Sequence, residues 1–313
     1  MGGEIESVVV IGYGVMGSAV ARTFAQSGFR TTIVSRRAHA LGPLPGVHQV
    51  LERLPAEPPD LVLEFGPENA GVKRAIYVDV DRAYPDADVI LATGTSGLDL
   101  RELAAGLRRP RNLVGVHYFM PADATKVVEV MAGPDAGPET VDRVARALER
   151  TGKEPVRLYR PTIGFLVNRL QHAILHEAYG LIQSGVATAA EIDHAARRLL
   201  APRMCITGLI QQKDISGLAV HGEAQRSIVP DLRHDSTPNP MLQSMLRRGE
   251  TGLAAGLGFY DWSGRDVAAV RAEGGARLAA LMEFLDAQTA KGTEGPRART
   301  AAELLAQGQG GPV

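Results

Sequence analysis

The chain has 313 residues, about two domains at roughly 150 residues each, and its 45% hydrophobic and 22% charged residues mark a folded globular protein rather than a disordered one. Its 34 basic and 35 acidic residues nearly cancel, leaving a formal charge of −1 and no whole-chain electrostatic reason to bind nucleic acid or an anionic membrane. The single cysteine, Cys205, excludes an internal disulfide and a cysteine-built metal cluster; no apolar run approaches the roughly 18 residues of a membrane span, and the acidic start Met1-Gly2-Gly3-Glu4 is not a secretory signal, so a cytoplasmic protein is expected.

In chain order, Val8-Val9-Val10-Ile11 is a short continuous apolar run, the pattern of a strand buried on both faces. A glycine turn follows, then a helical stretch to Ala25 that stops near Ser27-Gly28, then a second strand, Thr31–Val34. The segment from Ala38 to Pro59 is short, carries five prolines and reads as a loop-rich link. Further strands are expected at Leu61–Glu64, Val89–Ala92, Leu113–Val116, Val127–Val130 and Val156–Leu158, with helices around 68–83, 98–106 and 138–150. Strands alternating with helices imply an α/β fold, a doubly wound and mostly parallel sheet. From Ile163 the periodicity becomes helical throughout, with one long helix from Gly164 to Ser184 and shorter ones at 188–200, 214–229 and 266–286. The expected organisation is therefore a dinucleotide-binding domain over 1–160 and an all-helical domain over 161–313, ending in a frayed tail of about a dozen residues.

The turn after the first strand is Gly12-Tyr13-Gly14-Val15-Met16-Gly17. A GxGxxG that follows a strand and opens a helix is the fingerprint of a Rossmann dinucleotide site. Gly12 permits the tight turn, Gly14 lets a pyrophosphate approach the backbone, and Gly17 lets helix pack close on strand. The helix N-terminus, including Val15 and Met16, then offers amide donors and a positive dipole end to the phosphates. At the end of the second strand an acidic residue would bind a ribose 2′-hydroxyl and select NAD. Here the residues are Ser35, Arg36 and Arg37, which lack that carboxylate and can pair with a 2′-phosphate. NADP is the expected cofactor, with NAD as the alternative.

Downstream, Thr93-Gly94-Thr95-Ser96 ends one strand and His117-Tyr118-Phe119-Met120-Pro121 ends the next, with Glu129 twelve residues after the histidine. Gly164-Phe165-Leu166-Val167-Asn168-Arg169-Leu170 opens the long helix, and Gly258-Phe259-Tyr260-Asp261 lies near the end. In order and spacing these motifs resemble the 3-hydroxyacyl-CoA dehydrogenase family over roughly residues 7–265. Asn168–Ala173 followed by Glu177-Ala178 is most similar to the branch containing carnitine and gulonate dehydrogenases. The resemblance implies an oxidoreductase acting on CH–OH, a small-molecule 3-hydroxy or 3-oxo substrate and a homodimer. It assigns catalytic roles to His117, to Glu129 as the carboxylate paired with it, to Ser96 and to Asn168. It also places Glu64, Glu68 and Lys73 after the third strand, with Glu68 and Lys73 near the cofactor. A carboxylate beside the histidine makes physical sense, because it fixes the ring tautomer and stabilises the imidazolium while the other nitrogen exchanges a proton.

The chain also departs from the family pattern. Met120 stands where an asparagine usually precedes Pro121, and Ile163 interrupts the usual glycine pair before Asn168. The short 38–59 link lacks the helical excursion that helps acyl-CoA enzymes hold CoA, which points to a free acid or a polyketide-like intermediate rather than a thioester. A 3-hydroxybutyryl-CoA dehydrogenase and a non-catalytic NADP sensor are the alternatives. A 6-phosphogluconate-like dehydrogenase needs a lysine near the start of the long helix, and no lysine lies between Lys153 and Lys213. Arg169 and Arg203 are candidates for pairing with a substrate carboxylate. No metal site is expected: His172 and His176 lack a third ligand. Cys205 is expected to be buried and Trp262 to pack rather than bind a ligand.

Overall fold

The apolar run at the start becomes β1 (Ser7–Ile11), with Val8, Val9 and Val10 all within 1% of complete burial. Its side chains feed two separate cores: Val8 and Val10 join one cluster with Phe24 and Val20, and Val9 joins the other with Val62, Leu103 and Leu113. Leu61 and Leu63 repeat the first assignment and Val62 the second. Successive strand residues point to opposite faces, so an unbroken apolar strand requires cover on both sides.

The computed structural model describes residues 3–122, 125–289 and 296–305. It divides into two compact units, Met1–Ala173 and Ile174–Val313. In the first, α1 (Val15–Gln26) leads to β2 (Arg30–Val34), α2 (Ala38–Leu41), β3 (Gln49–Leu51) and β4 (Leu61–Glu64). Next come α3 (Ala70–Ala83), β5 (Ile90–Gly94), α4 (Leu100–Ala104), β6 (Leu113–Tyr118), β7 (Val127–Ala132), α5 (Pro138–Arg150) and β8 (Glu154–Leu158). Among the described residues these strands form one eight-stranded sheet in the order β3-β2-β1-β4-β5-β6-β7-β8, parallel except for the β6–β7 pair. Asn69 caps α3 by accepting from Val72 N, and Asp99 caps α4 by accepting from Arg101 N, contacts worth about 1 kcal/mol each.

The proline-rich link is more ordered than its composition suggests. It holds the single turn α2 and the three-residue β3, which extends the sheet through Ser35 N donating to Leu51 O and His48 N donating to Thr31 O. Three residues between prolines are too few to display periodicity. The sheet unit also runs past Pro161, because Phe165 is fully buried in the second core cluster and the start of α6 (Val167–Gln183) bonds to it.

In the second unit α7 (Ala189–Ala195), opened by a Thr188–Glu191 capping box, continues through a π turn at Ala196–Leu200 into α8 (Ala201–Thr207). The wider turn accommodates the missing N–H of Pro202. Gly217, at φ 94°, breaks the expected 214–229 helix into α9 (Gln211–Ser216) and α10 (Leu218–Ile228). α11 (Pro240–Arg247), which the sequence reading missed, is capped by Asn239 and precedes α12 (Val267–Thr289). Part of the expected tail is helical, as α13 (Ala301–Leu305); the rest lies outside the described residues. Cys205 is exposed, contrary to expectation. Among the described residues no helix is long and apolar enough to cross a membrane.

One charged pair is enclosed inside the sheet unit. Lys73 on α3 and Glu64 at the end of β4 are both fully buried, with Lys73 Nζ 3.0 and 3.1 Å from the two carboxylate oxygens. Gly94 O accepts a further bond from the ammonium at 2.8 Å, while Thr93 Oγ1 and Tyr77 Oη both donate to Glu64. Burial and the neighbouring Glu64 charge push the Tyr77 phenol well above its ordinary range. Removing one partner strands the other charge in the interior. Lys73→Ala is expected to lower the unfolding free energy by about 3–5 kcal/mol, read as a lower midpoint in urea unfolding.

Candidate active site

The dinucleotide turn is shaped by two glycines that have no room and one that does. Gly12 adopts φ 97°, and a Cβ there would stand 2.6 Å from Phe65 O. A Cβ at Gly17 would run into Gly12 O. Gly14 meets nothing within 4 Å, so the space in front of it is open. It also sits at the N-cap of α1, where no side chain caps the helix and no acidic residue occupies the first turn. Free amide donors, a positive dipole end and an open approach are what a pyrophosphate requires, so these residues fit a dinucleotide. Val15 is 73% exposed at the mouth of this turn, and Met16 is half-buried beside it.

At the end of β2, Ser35 is buried; its Oγ accepts from Arg37 N at 3.2 Å. Arg36 and Arg37 are exposed, and among the described residues neither forms an ion pair. Their guanidinium donors are therefore uncommitted.

Beyond the turn, a cleft of about 300 Å³ opens along the ends of β4, β5 and β6. Ser96, Glu68 and His117 supply its polar wall; Met16, Phe65 and Met120 supply apolar surface. Glu68 accepts three bonds: from Thr95 Oγ1 at 2.6 Å, Ser96 N at 2.9 Å and Ser96 Oγ at 3.2 Å. Burial alone would raise its pKa, but these bonds and the Lys73 charge, 3.8 Å away, hold the carboxyl below the usual carboxylate range. Asn168 reaches the same strand end, donating from Nδ2 to Ser96 O at 3.1 Å. Lys73 has no exposed surface; its ammonium meets Glu64 and Gly94 O and lies 3.8 Å from Glu68 Oε2, directly behind the cleft wall. Arg169 donates to Ile163 O at 3.3 Å.

His117 and Glu129 are directly opposite residues of the antiparallel β6–β7 pair. The twelve-residue spacing in sequence thus becomes one cross-strand step. His117 Nδ1 lies 2.7 Å from Glu129 Oε2, and the carboxylate is fully buried. Its other oxygen, Oε1, accepts from Leu166 N at 2.8 Å and Val167 N at 2.9 Å. With Nδ1 committed to the carboxylate, Nε2 is the nitrogen left for the cleft. Two rings flank the imidazole, Phe119 at 4.5 Å and Phe165 at 5.2 Å between centroids.

Sequence reading missed several residues of this constellation. Thr95 and the Gly94 carbonyl stand inside a motif whose Ser96 drew attention. Phe165 occupies a left-handed backbone conformation, φ 54°, which no residue pattern discloses for a side chain bearing a Cβ and which costs of order 1–3 kcal/mol. Elsewhere, His176 Nε2 lies 3.1 Å from Asp235 Oδ1, and among the described residues no three potential ligands are grouped to hold a metal ion.

Comparison with known proteins adds to this geometry. The family model described as "3-hydroxyacyl-CoA dehydrogenase, NAD binding domain" matches residues 7–54 and 50–161, and "3-hydroxyacyl-CoA dehydrogenase, C-terminal domain" matches 164–262. The chain is 25% identical over 308 residues to a 5-formyl-3-hydroxy-2-methylpyridine 4-carboxylate 5-dehydrogenase from Mesorhizobium japonicum, covering 90% of this chain and 99% of that one. It is 28% identical over 283 residues to a 3-hydroxybutyryl-CoA dehydrogenase from Clostridioides difficile, covering 82% and 99%. Among solved structures, a 5-formyl-3-hydroxy-2-methylpyridine 4-carboxylic acid 5-dehydrogenase, described as an NAD+-dependent dismutase, superposes with a TM-score of 0.78 at 25% identity, covering 90% and 99%. Both halves of the chain thus match the same family in the same order, and the protein belongs to the 3-hydroxyacyl-CoA dehydrogenase family of nicotinamide-dependent oxidoreductases that act on CH–OH groups.

Proposed function

We propose that the chain interconverts a 3-hydroxy and a 3-oxo group on a small acid or polyketide-like substrate, with His117 as general acid and base and NADP(H) as the preferred cofactor. The observation that carries this reading is the 2.7 Å contact between His117 Nδ1 and a fully buried Glu129. A bound nicotinamide accepts or supplies the hydride. In the reducing direction, His117 delivers a proton from Nε2 to the forming alkoxide; in the oxidising direction it removes one from the hydroxyl. Glu129 holds Nδ1–H throughout, so the ring cannot present the wrong tautomer and the imidazolium has a counter-charge. Ser96 contributes a hydroxyl to the same wall, directed at rest towards Glu68, and Asn168 fixes the Ser96 backbone from the start of α6.

Two features support a substrate other than a CoA thioester. Between β2 and β4 the chain offers only the one-turn α2 and the three-residue β3. The NAD-binding-domain match also comes in two pieces that meet at residues 50–54, as expected of a chain missing an internal stretch of the family pattern. The relative with the pyridine carboxylate substrate is a precedent for non-thioester chemistry in a chain of nearly the same length. The second reading, a 3-hydroxybutyryl-CoA dehydrogenase, is favoured by the similarity to that enzyme over 82% of this chain. For the cofactor, the two uncommitted guanidiniums of Arg36 and Arg37 support NADP(H), although the similar structure is described as NAD+-dependent. In the helical unit, Ile206, Ile210 and Ile215 are 70–74% exposed, which supports the homodimer implied by the family.

Three outcomes follow. His117→Ala is expected to cut turnover by about 10²–10⁴-fold while the NADPH dissociation constant, measured by fluorescence titration, stays essentially unchanged. NADPH should bind more tightly than NADH, and replacing Arg36 and Arg37 together by alanine should weaken NADPH alone, by about tenfold or more; equal affinities in the unaltered protein would overturn the NADP assignment. In a panel of 3-oxo substrates assayed with NADPH, free acids and diketide-like compounds should exceed acetoacetyl-CoA in kcat/KM. Robust turnover of acetoacetyl-CoA alone would establish the second reading instead.

A further inference from the structure

Phe165 lies between the acid–base pair and the core, and no role in the reaction described above uses it. It is fully buried, and its ring centroid is 5.2 Å from that of His117 at an interplanar angle of 39°. The ring also stands against β6 at Gly115, two residues before His117 and on the same face of the strand. A Cβ on Gly115 would come within 2.8 Å of Phe165 Cζ and 3.0 Å of Leu100 Cδ1, so the ring fills the space that glycine leaves open. The ring therefore rests on the same strand that carries the histidine.

The backbone of Phe165 is equally specific. It is the single non-glycine residue with positive φ among the described residues, at 54°, and it follows Gly164 at 81°. Immediately after this left-handed pair, Leu166 N and Val167 N both turn onto Glu129 Oε1. Two successive amides aimed at one carboxylate oxygen require a sharp change of chain direction before them, and the left-handed residues supply it. A bulky side chain is held in a conformation that favours glycine, and the packing against Gly115, Leu100 and His117 keeps it there.

The geometry points to Phe165 as a positioning residue. Its ring holds the imidazole of His117 from behind, and its left-handed backbone directs two amides onto Glu129, so that both members of the pair are fixed by one residue that touches no reacting atom. This rests on the reading of His117 and Glu129 as the acid–base pair. The fixed quantity is the His117 tautomer: while Glu129 Oε1 is anchored by the amides, Oε2 stays on Nδ1 and Nε2 remains available to the cleft.

The test uses the full chain labelled with ¹⁵N-histidine, with His117→Ala to assign one ring among the eight histidines. The unaltered protein should give a His117 signal of the Nδ1-protonated tautomer. Phe165→Ala should move that signal towards the tautomer mixture of a free imidazole and lower amide-exchange protection at residues 166 and 167 by about tenfold or more. Gly115→Ala, which crowds the ring without altering Phe165, should do the same. Phe165→Leu, which retains most of the apolar volume, should largely restore the signal. If either alanine variant folds and leaves the His117 tautomer and both amides unchanged, the positioning role is overturned; should Phe165→Ala fail to fold, Gly115→Ala decides. The acid–base reading fails separately, if His117→Ala retains full turnover, whatever the resonance does.

Discussion

The site depends on how one buried carboxylate divides its two oxygens. Glu129 projects from the middle of β7; one oxygen meets His117 across the antiparallel ladder and the other receives two amides from the entry to α6. A charge without solvent needs satisfied partners, and here those partners are the His117 ring and the backbone at the start of the long helix. The same contacts that make burial tolerable also fix the distance between β6 and that helix. A change that loosens the carboxylate is therefore felt both at the His117 ring and at the helix entry.

A second enclosed charge works on the neighbouring strands. Glu64 and Lys73 hold the end of β4 to α3, and through the Gly94 carbonyl they hold the end of β5 as well. Glu64 also accepts from Gly66 N, which shapes the chain as it leaves β4. Two of the strand ends that wall the cleft, those of β4 and β5, are therefore tied by a buried ion pair. Lys73 itself has no exposed surface and meets the cleft wall through Gly94 O and Glu68.

Much of this was legible in the residues because the signals were local. Leu61–Glu64 is a strand with the bounds its apolar run implied, and the GxGxxG turn is placed by its strand and helix context. The His117–Glu129 pairing was legible only through the family resemblance; the antiparallel β6–β7 register that sets the two residues opposite each other was not. What stayed hidden depends on distant partners. β3 is a strand because β2 has an open edge, and nothing in Gln-Val-Leu says so. Phe165 reads as an ordinary core aromatic, since a positive φ leaves no mark in composition. Cys205 was misread because the apolar neighbours Met204 and Ile206 in sequence do not establish cover in space.

The three glycines of the dinucleotide turn answer to different masters. Gly12 and Gly17 are hemmed in by the protein's own backbone, whereas Gly14 faces empty space. Selection for folding alone would preserve the first and third positions and let the second drift. A descendant of this chain that kept its architecture but abandoned its cofactor would therefore record the loss at position 14, while positions 12 and 17 went on looking like a working fingerprint.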